Sequence, residues 1–494
     1  MKPRTTPRAM PRILTVCAAG AVLVPLAGCG TGGTDRTPSA SAKTTRQATT
    51  APGPPAESRA PQRGKGSKDP DDINGDGHRD LVLPVRAGDA RDDRRPEERI
   101  AVVYGSAGGL DPATRTVHGR RDLGLPEPPD GPAWQNRNTV SQVVTADLDG
   151  DGFPDFVTPV DGETATDGNL STASTVPYVT WGGPTGPRTG RKATPVRLPD
   201  SAAKPGVESV VRGDFDGDGH HDLAGAARNE SSLVLLYGPF TRDGRPARTD
   251  TGLPWSDGRL YADAIDPSGK PRATSLLLHA MSDGEQTAST LYRARRGTGP
   301  SPEGRELRKG NAHAFGDFDG DGLRDVAVGD DGSRNNEPGH ETEAPGVGGS
   351  LAVYPGSGDA PVTHRLPERP GGASSYYGPG GYTAADPDGD GRDGVLVATY
   401  EGATLIDGDR RTAVLREGPA EADGEKTPAR WRHARPAGAA DFDGDGEDEL
   451  VLHWGPGTSF GLYGDGPTHW WITEGTSAGD QASFATTEFA AESR

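Results

Sequence analysis

The stretch Val143–Val157, VVTADLDGDGFPDFV, gathers four acids into nine residues: Asp147, Asp149, Asp151 and Asp155. Gly150 and Gly152 lie between them, and apolar runs enter and leave. With Asp147 as position 1, side-chain oxygen falls at positions 1, 3, 5 and 9. Position 7, Phe153, can add its backbone carbonyl. Such a set suits a hard cation with a flexible shell, and calcium takes about six to eight oxygens. Magnesium demands a stricter octahedron and keeps more water, so it ranks second. Glycine at position 6 permits the tight turn that folds the ligands inward. Without a cation, four convergent carboxylates repel one another.

The pattern recurs. The copies are DINGDGHRD from Asp72, DLDGDGFPD from Asp147, DFDGDGHHD from Asp214, DFDGDGLRD from Asp317, DPDGDGRDG from Asp386 and DFDGDGEDE from Asp441. The candidate ligands in the first are Asp72, Asn74, Asp76 and Asp80 with the His78 carbonyl. The second offers Asp147, Asp149, Asp151 and Asp155 with Phe153. The third offers Asp214, Asp216, Asp218 and Asp222 with His220, and the next Asp317, Asp319, Asp321 and Asp325 with Leu323. Asp386, Asp388 and Asp390 with Arg392 follow. That loop has Gly394 at position 9 and an acid, Asp393, one place early, so it is the least certain site. The last offers Asp441, Asp443, Asp445 and Glu449 with Glu447. Position 12 is Leu83, Thr158, Gly225, Val328, Val397 or Leu452, never the Glu of an EF-hand, and a strand-like run follows.

The interval between Asp214 and Asp317 is long enough for a seventh, decayed copy. AIDPSGKPRATSLLLH (264–279) fits, with Asp266, Ser268 and Thr274 at positions 1, 3 and 9. Lys270 then falls at position 5, where its ammonium would replace the ion's charge.

Short apolar runs follow the loops, and alternating strands further on end in an aromatic and a glycine, as in AVVYG, YVTWGG and LVLLYG. Helical periodicity is absent. Period-2 alternation, glycine-rich turns and seven repeats predict an all-β fold, four-stranded sheets arranged radially as a seven-bladed propeller.

The ends of the chain carry other signals. Lys2, Arg4, Arg8 and Arg12 precede an apolar stretch from Ile13 to Ala27, too short for an ordinary membrane span and right for a signal peptide. It ends in Leu26-Ala27-Gly28-Cys29, a bacterial lipobox in form, which makes Cys29 the expected lipidation site. The expected division is a signal peptide at 1–28, a lipidated Cys and disordered Pro/Ser/Thr-rich stalk at 29–69, and the propeller at 70–494. Only Cys17 and Cys29 exist, so the mature chain has no disulfide and needs another staple. A formal charge of −19 argues against nucleic acid as a partner. The basic segment 292–310, with Arg293, Arg295, Arg296, Arg305, Arg308 and Lys309, is the exception, and an anionic wall polymer is one partner it would suit. An Arg212-Gly213-Asp214 triplet is discounted as an adhesive motif, because Asp214 heads a loop.

These residues resemble the FG-GAP/VCBS repeat family, which includes the seven-bladed propeller of integrin α subunits. YYGPGGYTAAD (376–386) and NAHAFGD (311–317) carry the clearest traces of its Phe-Gly half. The resemblance implies that each loop joins the first and second strands of a blade and binds calcium, at up to six sites. It also suggests how the ring closes: residues 482–493 would supply the first strand that blade 1 lacks. The implied protein is a monomeric cell-surface lipoprotein, anchored at the extracytoplasmic face. It would bind a protein or cell-wall glycan through the longer loops of blades 1, 2 and 5. The rival expectation is an extracytoplasmic polysaccharide lyase or hydrolase with its site in the central channel, which would leave no linear motif.

Overall fold

The computed structural model describes residues 58–87, 97–127, 143–167, 170–228, 232–255, 258–280, 285–332, 346–368, 381–422, 424–457, 466–477, 479–487 and 489. The signal segment, Cys29 and most of the linker lie outside them, as do the longer connections of blades 1 and 5.

Seven antiparallel sheets follow one another along the chain. Blade 1 has three strands, Leu81–Ala87, Glu97–Val103 and Arg115–His118. Blade 2 has four, Val144–Ala146, Asp155–Asp167, Leu170–Thr180 and Thr194–Pro195. Blade 3 is built of Val207–Gly213, Asp222–Ala227, Leu233–Tyr237 and Arg248–Asp250. In blade 4 the strands are Gly258–Ala262, Leu276–Ala280, Ser289–Tyr292 and Arg305–Glu306. Blade 5 comprises Ala312–Gly316, Asp325–Gly329, Ser350–Tyr354 and Val362–Arg365. Blade 6 comprises Tyr382–Ala385, Gly394–Thr399, Gly402–Asp407 and Arg410–Val414. Blade 7 closes the series with Arg435–Ala440, Glu449–Trp454, His469–Thr473 and Asp480–Ala485. One four-residue helix, Asp200–Ala203, and one 3-10 turn are the only helices among the described residues.

The core is divided among the seams. Seven apolar clusters lie between successive blades, and the seventh joins blade 7 to blade 1, so the sheets form a closed ring. Strand alternation explains the division. Leu276 and Leu278 pack toward blade 3, and Leu277, between them, packs toward blade 5. Both faces of a middle strand are therefore covered. Asp222–Ala227, Leu233–Tyr237 and Asp325–Gly329 are buried at every position, rather than alternating with solvent.

Among the described residues blade 1 has no first strand, and residues 482–485 do not supply one. Asp480–Ala485 pairs with His469–Thr473 as the outer strand of blade 7. Side chains close the seam instead. Phe489 is fully buried, stacks on Phe484 and packs with Leu83, Val85 and Val103 of blade 1, under the Arg115 guanidinium. Gln481 accepts a hydrogen bond from the Leu110 N–H at 3.1 Å.

The folded part also begins earlier than position 70. Residues 64–67, assigned by sequence to the stalk, hydrogen-bond to the backbone of Asn74, Gly75 and Gly152. They run as a strap across the loops of blades 1 and 2. The strap has backbone to satisfy and finds partners there, which composition alone does not reveal.

Removing the Phe489 ring should leave a cavity at the closing seam. Phe489→Ala is expected to cost about 3 kcal/mol in urea unfolding. A loss under about 0.5 kcal/mol, the scale of a surface substitution, would show that the C-terminus does not close the ring.

Candidate metal centres on the blade loops

In blades 2, 3, 5, 6 and 7 the acidic loop joins the first and second strands, as expected, and in blade 1 it runs directly into Leu81–Ala87. Position 2 is an apolar plug, Ile73, Leu148, Phe215, Phe318 or Phe442, and all five are buried. Glycines at positions 4 and 6 of all six loops have φ between 63° and 99°, a region that side chains disfavour. That conformation turns the backbone N–H groups inward. The position 1 carboxylate accepts the position 6 N–H in every loop, at 2.8–3.1 Å.

Position 9 has a second task. One oxygen accepts the N–H of position 2, as from Phe215 to Asp222 at 2.7 Å. The other reaches across the sheet to a glycine beyond the third strand. Gly105, Gly182, Gly238 and Gly356 donate to Asp80, Asp155, Asp222 and Asp325 at 2.6–2.8 Å. This explains the aromatic-glycine ending. A Cβ at Gly105 or Gly182 would lie 2.1 Å from a backbone oxygen of the loop.

The remaining oxygens converge. In five loops three carboxylates each place an oxygen within 4.8 Å of the others: Asp147, Asp149 and Asp155; Asp214, Asp216 and Asp218; Asp317, Asp319 and Asp325; Asp386, Asp388 and Asp390; Asp441, Asp443 and Glu449. The first loop has Asn74 at position 3, with its oxygen accepting the Asp76 N–H at 3.2 Å. Oδ1 of Asp147, Asp214 and Asp216 is buried with no hydrogen-bond partner. A buried carboxylate oxygen without a donor is costly. The donor set is all oxygen, so the residues fit a hard divalent cation.

The loops differ in what else faces them. Arg242 pairs with Asp149 and with Asp151, and Arg188 also reaches Asp151. Arg248 lies 2.8 Å from Asp216, and Arg410 lies 2.9 Å from Asp388. The strap covers the loop of blade 1. Among the described residues, no cation pairs with the loop acids of blades 5 and 7.

Position 8 went unread in the sequence, yet it joins the blades. Asp393 and Asp448 each accept the N–H at position 1 of the preceding blade, from Asp317 at 2.7 Å and Asp386 at 2.9 Å. His221 Nδ1 does the same for Asp147 at 2.8 Å. Asp393 is therefore a seam contact rather than a displaced position 9 ligand. Arg324 binds Asp263 of blade 4 at 3.0 Å and Asp393 of blade 6 at 3.2 Å. Arg212, the Arg of the discounted triplet, is held by Asp71 at 2.7 Å.

The same comparison moves the decayed repeat. Thr274 donates its N–H to the Asp214 carbonyl and its hydroxyl accepts from Asp214, so it sits at position 8. Ser275 accepts from Ala294 N–H as a position 9 residue would. Buried Ile265 is then the position 2 plug and Asp266 falls at position 3. The loop carries an insertion that upset the count made from Asp266. Lys270 is exposed on that insertion and does not stand in for an ion.

Burial raises the loop carboxylates. It pushes Asp222 up to about 8, against the pull of the Gly238 and Phe215 donors, with Asp216 and Asp214 adding to the rise. Glu449 rises to about 7, and Asp147 and Asp214 to about 6, also chiefly through burial. Unfolded carboxylates titrate near about 4. Between those values the folded metal-free chain holds more protons than the unfolded one, so stability falls as pH rises. The chelated protein should melt at a higher temperature at pH 5.5 than at pH 8, and a saturating divalent cation should abolish or reverse that order. A chelated protein more stable at pH 8 would contradict this electrostatic reading.

Residues 139–176, which span the blade 2 loop, match the family model described as FG-GAP repeat. No curated protein matches the chain. Among solved structures, it is similar to BBS1N in a complex with ARL6DN, at 10% identity and a TM-score of 0.41, over 81% of this chain and 94% of that one. It is also similar to the V. cholerae biofilm matrix protein Bap1, at 12% identity and a TM-score of 0.30, over 80% of this chain and 88% of that one. A Photorhabdus luminescens Tc holotoxin pore matches at 15% identity and a TM-score of 0.32, over 84% of this chain and 15% of that one. The chain is a seven-bladed β-propeller with an FG-GAP repeat at residues 139–176.

Proposed function

We propose that this propeller is a calcium-stapled recognition module. It is held at the extracytoplasmic face by a lipid on Cys29, and it binds a protein or cell-wall glycan. The observation that carries the reading is the repeated set of converging carboxylates with buried, unpartnered oxygens at Asp147, Asp214 and Asp216. Calcium supplies the positive charge that these oxygens need and accepts the irregular oxygen shell that the loops offer. No helix among the described residues is long and apolar enough to cross a membrane.

The basic segment contributes less to recognition than its composition suggests. Arg293 donates to the Gly356 and Pro355 carbonyls at 2.7 and 2.9 Å. Arg305 lies over the Tyr354 ring, and Arg308 bonds to Gly346, Val347 and Ser350. These three tie blade 4 to blade 5. Arg295, Arg296 and Lys309 remain exposed and are the ones that could meet an anionic polymer.

The enzyme reading finds its nearest support in a polar network between blades 4 and 5. Ser289 Oγ lies 3.0 Å from His279 Nδ1 and 2.8 Å from His313 Nε2. Ser289 is 1% exposed, however, and burial drops His313 to about 3. A hydroxyl that no substrate reaches is a packing device, so binding is the better reading.

Two measurements test the proposal. Cys29→Ser should move the protein from the membrane pellet to the soluble fraction, and a variant that stays in the pellet would remove the lipid anchor. The chain lacking residues 1–29 should sediment with purified cell-wall polymer in calcium and not in chelator. Soluble polymer fragments released over time would favour the enzyme, and no sedimentation in either buffer would redirect the search to a protein partner.

A further inference from the structure

A cleft of about 350 Å³ opens between blades 5 and 6. Its walls are apolar: Phe318, Val353, Pro355 and Val362 from blade 5, with Val395 and Ile406 from blade 6. Only Leu323 and Val362 are large apolar side chains left exposed among the described residues, and Val362 lines this cleft at 53% exposure. The volume falls within the usual range for a small-molecule site, about 300–1,000 Å³.

The polar lining is Asp319, His364, Arg392, Asp393 and Asp409. Arg392 Nε donates to the Phe318 carbonyl at 3.0 Å, which fixes the plane of the guanidinium. Its two Nη groups have no hydrogen-bond acceptor among the described residues, although Asp407 Oδ1 lies 3.7 Å from Nε and that acid is also held by Arg410 at 2.9 Å. Gly408 keeps the facing turn clear of them, since a Cβ there would lie 3.1 Å from Nη2. His364 also lines the cleft, with no hydrogen-bond partner on either ring nitrogen among the described residues. Burial, then the neighbouring Arg411, lowers its pKa, which leaves a neutral ring with one N–H to donate. The acids nearby must be weighed against this. Asp393 is engaged by Asp317 N–H and Arg324. Asp319 belongs to the blade 5 loop set, and Asp409 is exposed.

We propose that this cleft binds a small ligand that carries a carboxylate on a branched or aromatic apolar body. The Nη groups of Arg392, which the Asp407 ion pair leaves without a hydrogen-bond acceptor, take the carboxylate in two parallel hydrogen bonds, a geometry that guanidinium offers and ammonium does not. The apolar body then covers Val362, the exposed apolar side chain of the cleft. The assignment rests in part on the calcium reading, because Asp319 of the blade 5 loop and Arg392 of the blade 6 loop both line the cleft, but it does not depend on what the propeller recognises.

Calorimetric titration of the chain lacking only residues 1–29, at saturating calcium so that Asp319 is neutralised, tests the assignment. The probes are N-acetyl-leucine, its amide N-acetyl-leucinamide, and the cation leucinamide. The acid should bind about tenfold more tightly than the amide, the scale of one charge-assisted pair. Arg392→Gln should erase that preference. Arg392→Lys, which keeps charge but loses the fork, should retain part of it, and Val362→Asp, at an exposed position, should weaken the acid more than the amide. Equal binding of acid and amide would overturn the proposal. So would tighter binding of leucinamide, undetectable binding of the acid, or an acid affinity unchanged in Arg392→Gln. If Arg392→Gln fails to fold, the Arg392→Lys and Val362→Asp titrations decide the matter.

Discussion

One carboxylate holds the corner of five of the seven blades. At position 9, in five blades, an acid accepts the N–H of the loop's apolar plug, and in four of them its other oxygen takes the N–H of a glycine across the sheet. Loop, second strand and third-strand exit are thereby fixed together. The arrangement works only if a negative charge sits in a place where burial resists it, as the value of about 8 for Asp222 shows. Everything else in the loop answers that constraint. The positive-φ glycines aim N–H groups at the acids, and further carboxylates at positions 1, 3 and 5 complete a shell that a cation can fill.

Between blades the stitching is different and more varied. Position 8 supplies a side chain to the neighbouring blade, but its chemistry changes from His221 to Thr274, Arg324, Asp393 and Asp448. The variation has a physical reason. A backbone N–H donates to any acceptor of the right reach, as His221, Thr274, Asp393 and Asp448 provide, whereas a hard ion's shell takes only oxygen. Loop positions 1, 3, 5 and 9 are thus monotonous and position 8 is not. The closing seam uses neither device alone: Phe489 packs across it and the 64–67 strap lies over the first two loops.

This contrast also explains what could be read from the sequence. The six loops, the place of five of them between the first and second strands, and the number of blades were legible, because ligand chemistry repeats at fixed spacing. Seam contacts were not, because position 8 bridges to the neighbouring blade with His, Thr, Arg or Asp. The decayed repeat was placed correctly as a blade and numbered wrongly, since an insertion after Ile265 shifts Thr274 to position 8 and Ser275 to position 9. The closing strand was misassigned because Asp480–Ala485 has the pattern of any strand, and only pairing shows that blade 7 already claims it. Arg392 entered the reading for its backbone carbonyl, while its side chain is what lines the cleft between blades 5 and 6.

The proposed role of calcium as the staple of a chain without disulfides is tested most directly by counting ions. The chain lacking residues 1–29 would be passed through gel filtration in calcium buffer, and bound calcium measured per mole of protein. The account predicts about six ions, or about five if the blade 6 loop, with Gly394 at position 9, fails to hold its own. It further predicts that those ions leave in chelator with a fall in melting temperature. A folded, thermally unchanged protein that retains no calcium would contradict it.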